Sequence, residues 1–315
     1  MRIKKLCFWW LVVFPSFFSF AQGDDLSDVA ELQRACETQI GTMIWAKGEC
    51  QPLSVAKYAP LVYLAENEKF EPSSVNFFLP HVQEQNGFLV TKEPLGCPTC
   101  NHLPFFRGTG TDAPVYAIVT RKTEEIVDLT YWFFYPYNQG KTVCVGFLAG
   151  GSCVGCKKEF GDHVGDWEHI TVRTLNLKPT HIYMSWHNSG SLFTYGDTKK
   201  ITYEGTHPIV YSAIGSHGLY PKPGKFGYKK LFNGDELTDF TSKGKAWRSW
   251  ENLDVILFKP AKAYEGKDQW MNFKGRWGNP KDGCGIYERL SGQCQLNDGP
   301  HGPVEKGAMT NLELD

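Results

Sequence analysis

The chain has 315 residues, a formal net charge of −1, 14% aromatic residues, 32 glycines and 18 prolines. A charge this small, with no basic block, argues against a nucleic-acid binder. The aromatic-, Gly- and Pro-rich composition argues against a helical bundle and for a loop-rich β protein.

Residues 1–21 read as a separate object. Arg2, Lys4 and Lys5 make a basic start, Leu6 to Phe18 an apolar run broken at Pro15, and Ser19-Phe20-Ala21 a small-x-small cleavage site. This is the pattern of a secretory signal peptide cut after Ala21, and an apolar run of ~13 residues is too short to cross a bilayer. A secreted chain is therefore expected. Its charge moves from −1 to −4, because the leader carries three cations and no acid.

Residues 22–54 read as an N-terminal helical extension, with Leu26, Val29, Ala30, Leu32 and Cys36 on one helical face. From residue 55 to 315 no linker divides the chain, which predicts one β-sandwich domain. Tyr58 to Leu64 reads as a buried strand. Ser73 or Ser74 then caps a short helix that Pro80 stops. "VYAIVTRK" and "EEIVDLTYWFFYPYN" predict two strands separated by a turn. Residues 140–161 are Gly- and Cys-rich with no period, which predicts a long disulfide-pinned loop. Strands are expected again at "WEHITVRTL", "HIYMSWH" and "HPIVYSAIG". The tail carries Trp247, Trp250, Trp270 and Trp277 among turn residues. The fold class expected is all-β: an antiparallel β-sandwich with short helical inserts and disulfide-pinned loops.

Export makes disulfides the expected state of the cysteines that follow the leader. Proximity predicts Cys36–Cys50 and Cys284–Cys294. Cys153 can close on Cys156, which leaves Cys144 as the free thiol of an odd set. Zinc held by "CPTC" and "CVGC" is the alternative.

The densest chemistry lies in "GDHVGDWEHITV", Gly161 to Val172. In a strand, Asp166 and Glu168 share one face while Trp167 and His169 take the other. His163 is expected in the turn entering that strand, curling back toward both carboxylates. With no Lys or Arg beside them, two converging carboxylates repel unless a proton or a cation joins them. Oxygen and imidazole donors together suit Ca²⁺ or Mg²⁺ ahead of Mn²⁺ or Zn²⁺. The alternatives are a solvated turn in which Asp162 caps backbone amides, or two carboxyls sharing one proton. His217, in the glycine-flanked "GSHGLY", is a candidate for orienting a ligand from behind. Neither a "GxSxG" nor an "HExxH" motif is present.

From Val55 to Pro300, "YAPLVYLAENEKFEPSSVNFFLPHV", "LTYWFFYPYNQGK", "GDHVGDWEHITVR", "PIVYSAIGSHGLYPKPG" and "GRWGNP" together resemble the vacuolar protein sorting-associated protein 62 family. A shorter set, "YWFFYPYN…GDHVGDWE…SWH", is similar to the core of the necrosis- and ethylene-inducing-like cytolysins with their "GHRHDWE" heptapeptide. That resemblance implies a β-sandwich holding a divalent cation used in binding membrane glycosphingolipids. It also implies the ligand set His163, Asp166 and Glu168, joined by Asn138 upstream and His187 downstream. Asn138 stands where those proteins have Asp, and Gly165 where they have His. The site thus carries one negative charge fewer. The expected function is a secreted, divalent-cation-binding protein for a glycolipid, glycan or membrane surface, with membrane damage as its strongest form. A metal-dependent hydrolase using His163 or His217 as proton shuttle is one alternative. A structural protein with a loop-pinning cation is the other.

Overall fold

The computed structural model describes the backbone of residues 43–46 and 49–52, then residues 54–314 apart from 232, 261, 286–287, 289–291 and 312. The expected leader, the Leu26–Cys36 helix and the Cys36–Cys50 pairing lie outside the described residues. Met43–Ala46 and Glu49–Pro52 pair as an antiparallel hairpin, so the described part of the extension is strand rather than helix.

The fold is all-β. Six strands form one sheet in the order Ser189–Thr194, Lys178–Trp186, His163–Leu175, Ile126–Asn138, Val115–Arg121, Leu253–Leu257. A smaller sheet runs Tyr203–Glu204, His207–Ser212, Leu61–Tyr63, Ala246–Arg248, with Leu219–Tyr220 added to the second strand. The pairing differs from the expected antiparallel sandwich in two places. Leu253–Leu257 runs parallel to Val115–Arg121, and His207–Ser212 parallel to Leu61–Tyr63. Both partners are brought in by long connections, which permit the parallel sense that a tight hairpin forbids.

The two long central strands are buried on both faces. Leu129, Tyr131, Phe133 and Tyr135 meet Val62, Val210 and Trp247 of the smaller sheet. Trp132 and Phe134 point the other way into Phe78, Phe106, Trp167, Trp270 and Trp277. This two-sided burial explains the unbroken apolar run "YWFFYPY", which a strand with one wet face would not carry. The second layer comes from short inserts. The helix Val75–Phe78 starts at Ser74, whose hydroxyl accepts from the Phe77 amide, and passes into a 3-10 turn, Leu79–His81. Trp247, Trp270 and Trp277 are core residues.

Residues 140–161 are not a loop. Lys141–Ala149 and Ser152–Phe160 pair over their whole length as a hairpin. Its turn is Gly150-Gly151, both with positive φ (57° and 80°), as a type I′ connection requires. Gly146 and Gly155 lie opposite each other, and a Cβ on either would stand 2.1 or 2.4 Å from the other strand's carbonyl oxygen. The glycines mark close backbone approach rather than irregular chain.

Cys284–Cys294 forms as expected, and Cys97–Cys100 closes the CPTC pair. Cys144 is not free: it bonds Cys153, and Cys156 is the exposed free thiol. The Cα atoms of Cys144 and Cys153 lie 5.5 Å apart, within disulfide reach, although the ladder sets Cys144 opposite Lys157 and Cys153 opposite Leu148. These pairings also leave no four-thiolate zinc site among the described cysteines. Alkylation without reduction followed by peptide mapping is expected to label Cys156 and spare Cys144 and Cys153. Label on Cys144 would overturn the pairing.

One glycine sets the end of the central strands. Gly165 has φ +66°, and a Cβ there would sit 2.0 Å from the Trp277 carbonyl oxygen. Gly165→Ala is therefore expected to cost about 3 kcal/mol or more in denaturant unfolding, combining backbone strain with a clash against main chain. A loss under about 1 kcal/mol would show that the Trp277 segment yields easily.

Candidate functional site

Face alternation breaks at Gly165. Ile170 and Val172 face the smaller sheet, so Asp166 and Glu168 face it too, while Trp167 packs into the opposite layer. Val164 packs in that same opposite layer as Trp167, although the two are three positions apart, an odd spacing that regular alternation puts on opposite faces. The positive φ of Gly165 makes this reversal, and it swings His163 onto the side of Asp166. His163 is the first residue of the strand, paired with Asn138, rather than part of an entering turn.

A cleft of about 840 Å³ opens at this end of the sheet. Asn138, His163, Asp166, Glu168 and His187 all line it, with Trp186 and Tyr228 as aromatic walls. The His163 Nδ1 lies 2.7 Å from the Gly165 carbonyl. A carbonyl only accepts, so Nδ1 carries the proton and the lone pair is left on Nε2. Burial, partly opposed by the Asp166 charge, holds this ring below its ordinary pKa and favours that neutral form. The Asn138 amide nitrogen donates to the Gly161 carbonyl at 2.9 Å, which leaves its oxygen as the free end.

His217 is fully buried beneath Asp166, with φ +58° and its ring stacked on Tyr135 at 3.7 Å. Its Nε2 donates to the Phe70 carbonyl at 3.0 Å, and its Nδ1 meets Asp166 Oδ2 at 2.9 Å. Burial pushes the Asp166 carboxyl up, but the His217 hydrogen bond and the charges of His163, His217 and Lys306 outweigh it. The carboxyl is held below its usual range. Asp166 and the Phe70 carbonyl thus engage both ring nitrogens of His217. With both nitrogens engaged and the ring shut from solvent, His217 has no free nitrogen for the proton-shuttle role considered above.

Glu168 is the strained carboxyl. Burial and the Asp166 charge push it up to about 7, although Lys306, Ser185 and His187 act the other way. Its oxygens accept from the Ser185 hydroxyl and, at 3.3 Å, from the His187 amide. His187 reaches the cleft with φ +53°, but its Nε2 is bonded to the buried Asp239 at 2.8 Å. Lys141 and Tyr220 also hold Asp239. His187 thus has only Nδ1 to offer a ligand.

The local reading placed no cation beside the carboxylates. Tertiary structure supplies one from the far end of the chain: Lys306, which lines the cleft, donates to the Trp167 carbonyl and acts on both carboxyls. His169 also lines the cleft, with Nδ1 unpartnered and its ring edge-on to Trp132 at 4.3 Å. Its assignment to the Trp face hid it. Among the described residues, the three-donor set closer than 4.8 Å is Cys284, Glu288 and Cys294, whose cysteines are spent in a disulfide. The donors of His163, Asp166 and Glu168 share one cleft without being drawn that close.

Because the His217–Asp166 pair is buried, with His217 at 0% exposure, leaving the histidine without its partner should be costly. Asp166→Ala is expected to lose about 3–5 kcal/mol in urea unfolding. Asp166→Asn should lose clearly less, since its amide oxygen still accepts from Nδ1. Equal small losses in both variants would show that the pair contributes little.

Comparison with known proteins covers most of the chain. Residues 106–283 match the model of the vacuolar protein sorting-associated protein 62 family. The vacuolar protein sorting-associated protein TDA6 of Saccharomyces cerevisiae is 27% identical over 347 residues, spanning 89% of this chain and 70% of that protein. Vacuolar protein sorting-associated protein 62 of the same yeast is 30% identical over 224 residues, 63% of this chain but only 45% of that protein's length. Among solved structures, necrosis and ethylene inducing protein 2 from the agent of cocoa's witches' broom disease is 17% identical. It covers 55% of this chain and 70% of its own, with a TM-score of 0.32. NLPPya in complex with glucosamine is 15% identical over 65% and 71% of the two chains, with a TM-score of 0.30. The family match spans more than half of the residues, and the chain belongs to the vacuolar protein sorting-associated protein 62 family.

Proposed function

We propose that this is a secreted binding protein whose cleft takes a glycan or the sugar headgroup of a glycolipid, with a divalent cation bound at His163 and Asp166. The observation that carries the reading is convergence: Asn138, the His163–Asp166–Glu168 group and His187, from the ends of three neighbouring strands, line one cleft of about 840 Å³. The residues present fit a hard cation. His163 has its lone pair on Nε2 with Nδ1 anchored on a carbonyl, the arrangement that orients a ligating imidazole. The Asn138 amide oxygen and an ionised Asp166 add the oxygen donors that Ca²⁺ and Mg²⁺ prefer.

The rest of the lining suits a sugar. Its volume lies in the range of small-ligand sites. Trp186 and Tyr228 offer ring faces to apolar C–H surfaces, and Gln139, Asn188 and Arg276 offer planar donors and acceptors for hydroxyls. The hydrolase alternative loses one of its two proton shuttles, because both ring nitrogens of the buried His217 are engaged.

Calorimetric titration with Ca²⁺ and Mg²⁺ tests the cation. Glu168, poised at about 7, must lose its proton before it can ligate. Wild-type affinity is therefore expected to rise by up to about tenfold per pH unit below 7 and to level off above 8. Asp166→Asn should weaken binding at least about tenfold at pH 8 with circular dichroism unchanged. Glycan-array binding should fall in EDTA. A wild type that binds no divalent cation, or a glycan signal indifferent to EDTA, would sink this reading.

A further inference from the structure

The Lys141–Phe160 hairpin is built in two halves. Its root is fixed: Val143 and Phe160 pack with Leu231 and Leu237, the Cys144 amide donates to Asp235 at 2.8 Å, and Asn233 donates to the Cys144 carbonyl. Beyond Gly146 and Gly155 the tip carries Phe147 and Val154, directly opposite each other and 59% and 45% exposed. From Thr142 to Cys156 there is no Asp, Glu, Lys, Arg or His, in a chain whose residues are 21% charged. The first charges met on leaving the tip are Lys157 and Lys158, both exposed. The Cys144–Cys153 disulfide spans the junction of root and tip.

We infer that this tip docks into the interfacial layer of an anionic lipid bilayer. An exposed, uncharged, aromatic-tipped element is unfavourable in water and favoured among acyl chains. Lysines immediately behind it would meet acidic headgroups, whose attraction adds to the apolar term. A lone two-stranded ribbon cannot cross the membrane, because its outer backbone groups would lie unpaired in hydrocarbon. The tip therefore enters only to headgroup depth. A second protein is a poorer occupant: Phe147, Leu148 and Val154 are the large side chains of a glycine-rich tip, far short of the ~1,600 Å² of a standard interface. The inference is independent of the cleft and of any cation.

The test uses the purified chain carrying Cys156→Ser, which excludes covalent dimers, in EDTA and with glycan-free vesicles. Co-sedimentation is measured on phosphatidylcholine vesicles with and without 30% phosphatidylserine, a composition of about that acidity being enough to engage lysines. The expected result is binding to the anionic vesicles, reduced about tenfold or more by Phe147→Ser with Val154→Ser. Lys157→Glu should abolish the preference for phosphatidylserine. Phe147→Trp should show a blue-shifted emission quenched by brominated lipid. Binding that survives the double serine change, or no binding by the parent, overturns the inference. So does sedimentation-velocity dimerisation that the double change abolishes, which would assign the tip to a second copy. Because neither glycan nor cation is present, these outcomes leave the cleft reading untouched.

Discussion

The absence of a side chain at position 165 is the constraint on which the functional end of this protein depends. The Trp277 carbonyl oxygen occupies the place where a Cβ would be, 2.0 Å away, and the backbone takes a φ of +66° that glycine alone adopts freely. That approach locks the C-terminal segment against the central strand. In the same step it reverses the alternation of faces, so that His163 joins Asp166 at the cleft while Val164 and Trp167 share the opposite layer. Gly278 is the matching concession on the other side, since its Cβ would meet the Val164 carbonyl at 1.9 Å. Chain crossing and site geometry therefore have one cause.

Charge is balanced within the cleft by groups that sequence distance conceals. Asp166 rests on His217, Asp239 on Lys141 and His187, and Lys306 approaches from the 3-10 turn Pro303–Lys306. Glu168, with the weakest compensation, is the one carboxyl of this trio whose pKa rises, to about 7. A network so paired is well ordered before any ligand arrives, which lowers the entropy cost of binding. It also spaces the donors, because each carboxylate is drawn toward its own partner. A cation binding here competes with His217 and Lys306 as well as with water.

The six-stranded sheet gives this arrangement its rigidity. With both faces of its central strands buried, neither His163–Leu175 nor Ile126–Asn138 can shift register without exposing a full layer of aromatic side chains. The outer hairpin departs from this economy. Its root belongs to the core, whereas its tip leaves Phe147 and Val154 in solvent, a sorting of residues that packing within this chain does not require.

Much of the architecture was written locally. The apolar runs marked the long strands, Ser74 marked its helix, and the density of acids and histidines in Gly161–His169 marked the chemical end of the sheet, because these signals act over a few residues. The hairpin at 141–160 carried a readable sign too, Gly150-Gly151 between two strand-length runs, but its other glycines disguised it. Tertiary structure alone decided the rest. Cys144 bonds Cys153, a pairing that neither sequence proximity nor strand register points to. Lys306 and the Asp239 network joined the cleft because segments separated by tens of residues pack there. Secondary structure follows from periodicity along the chain, whereas the charge state of a buried carboxylate follows from what lies across the fold from it.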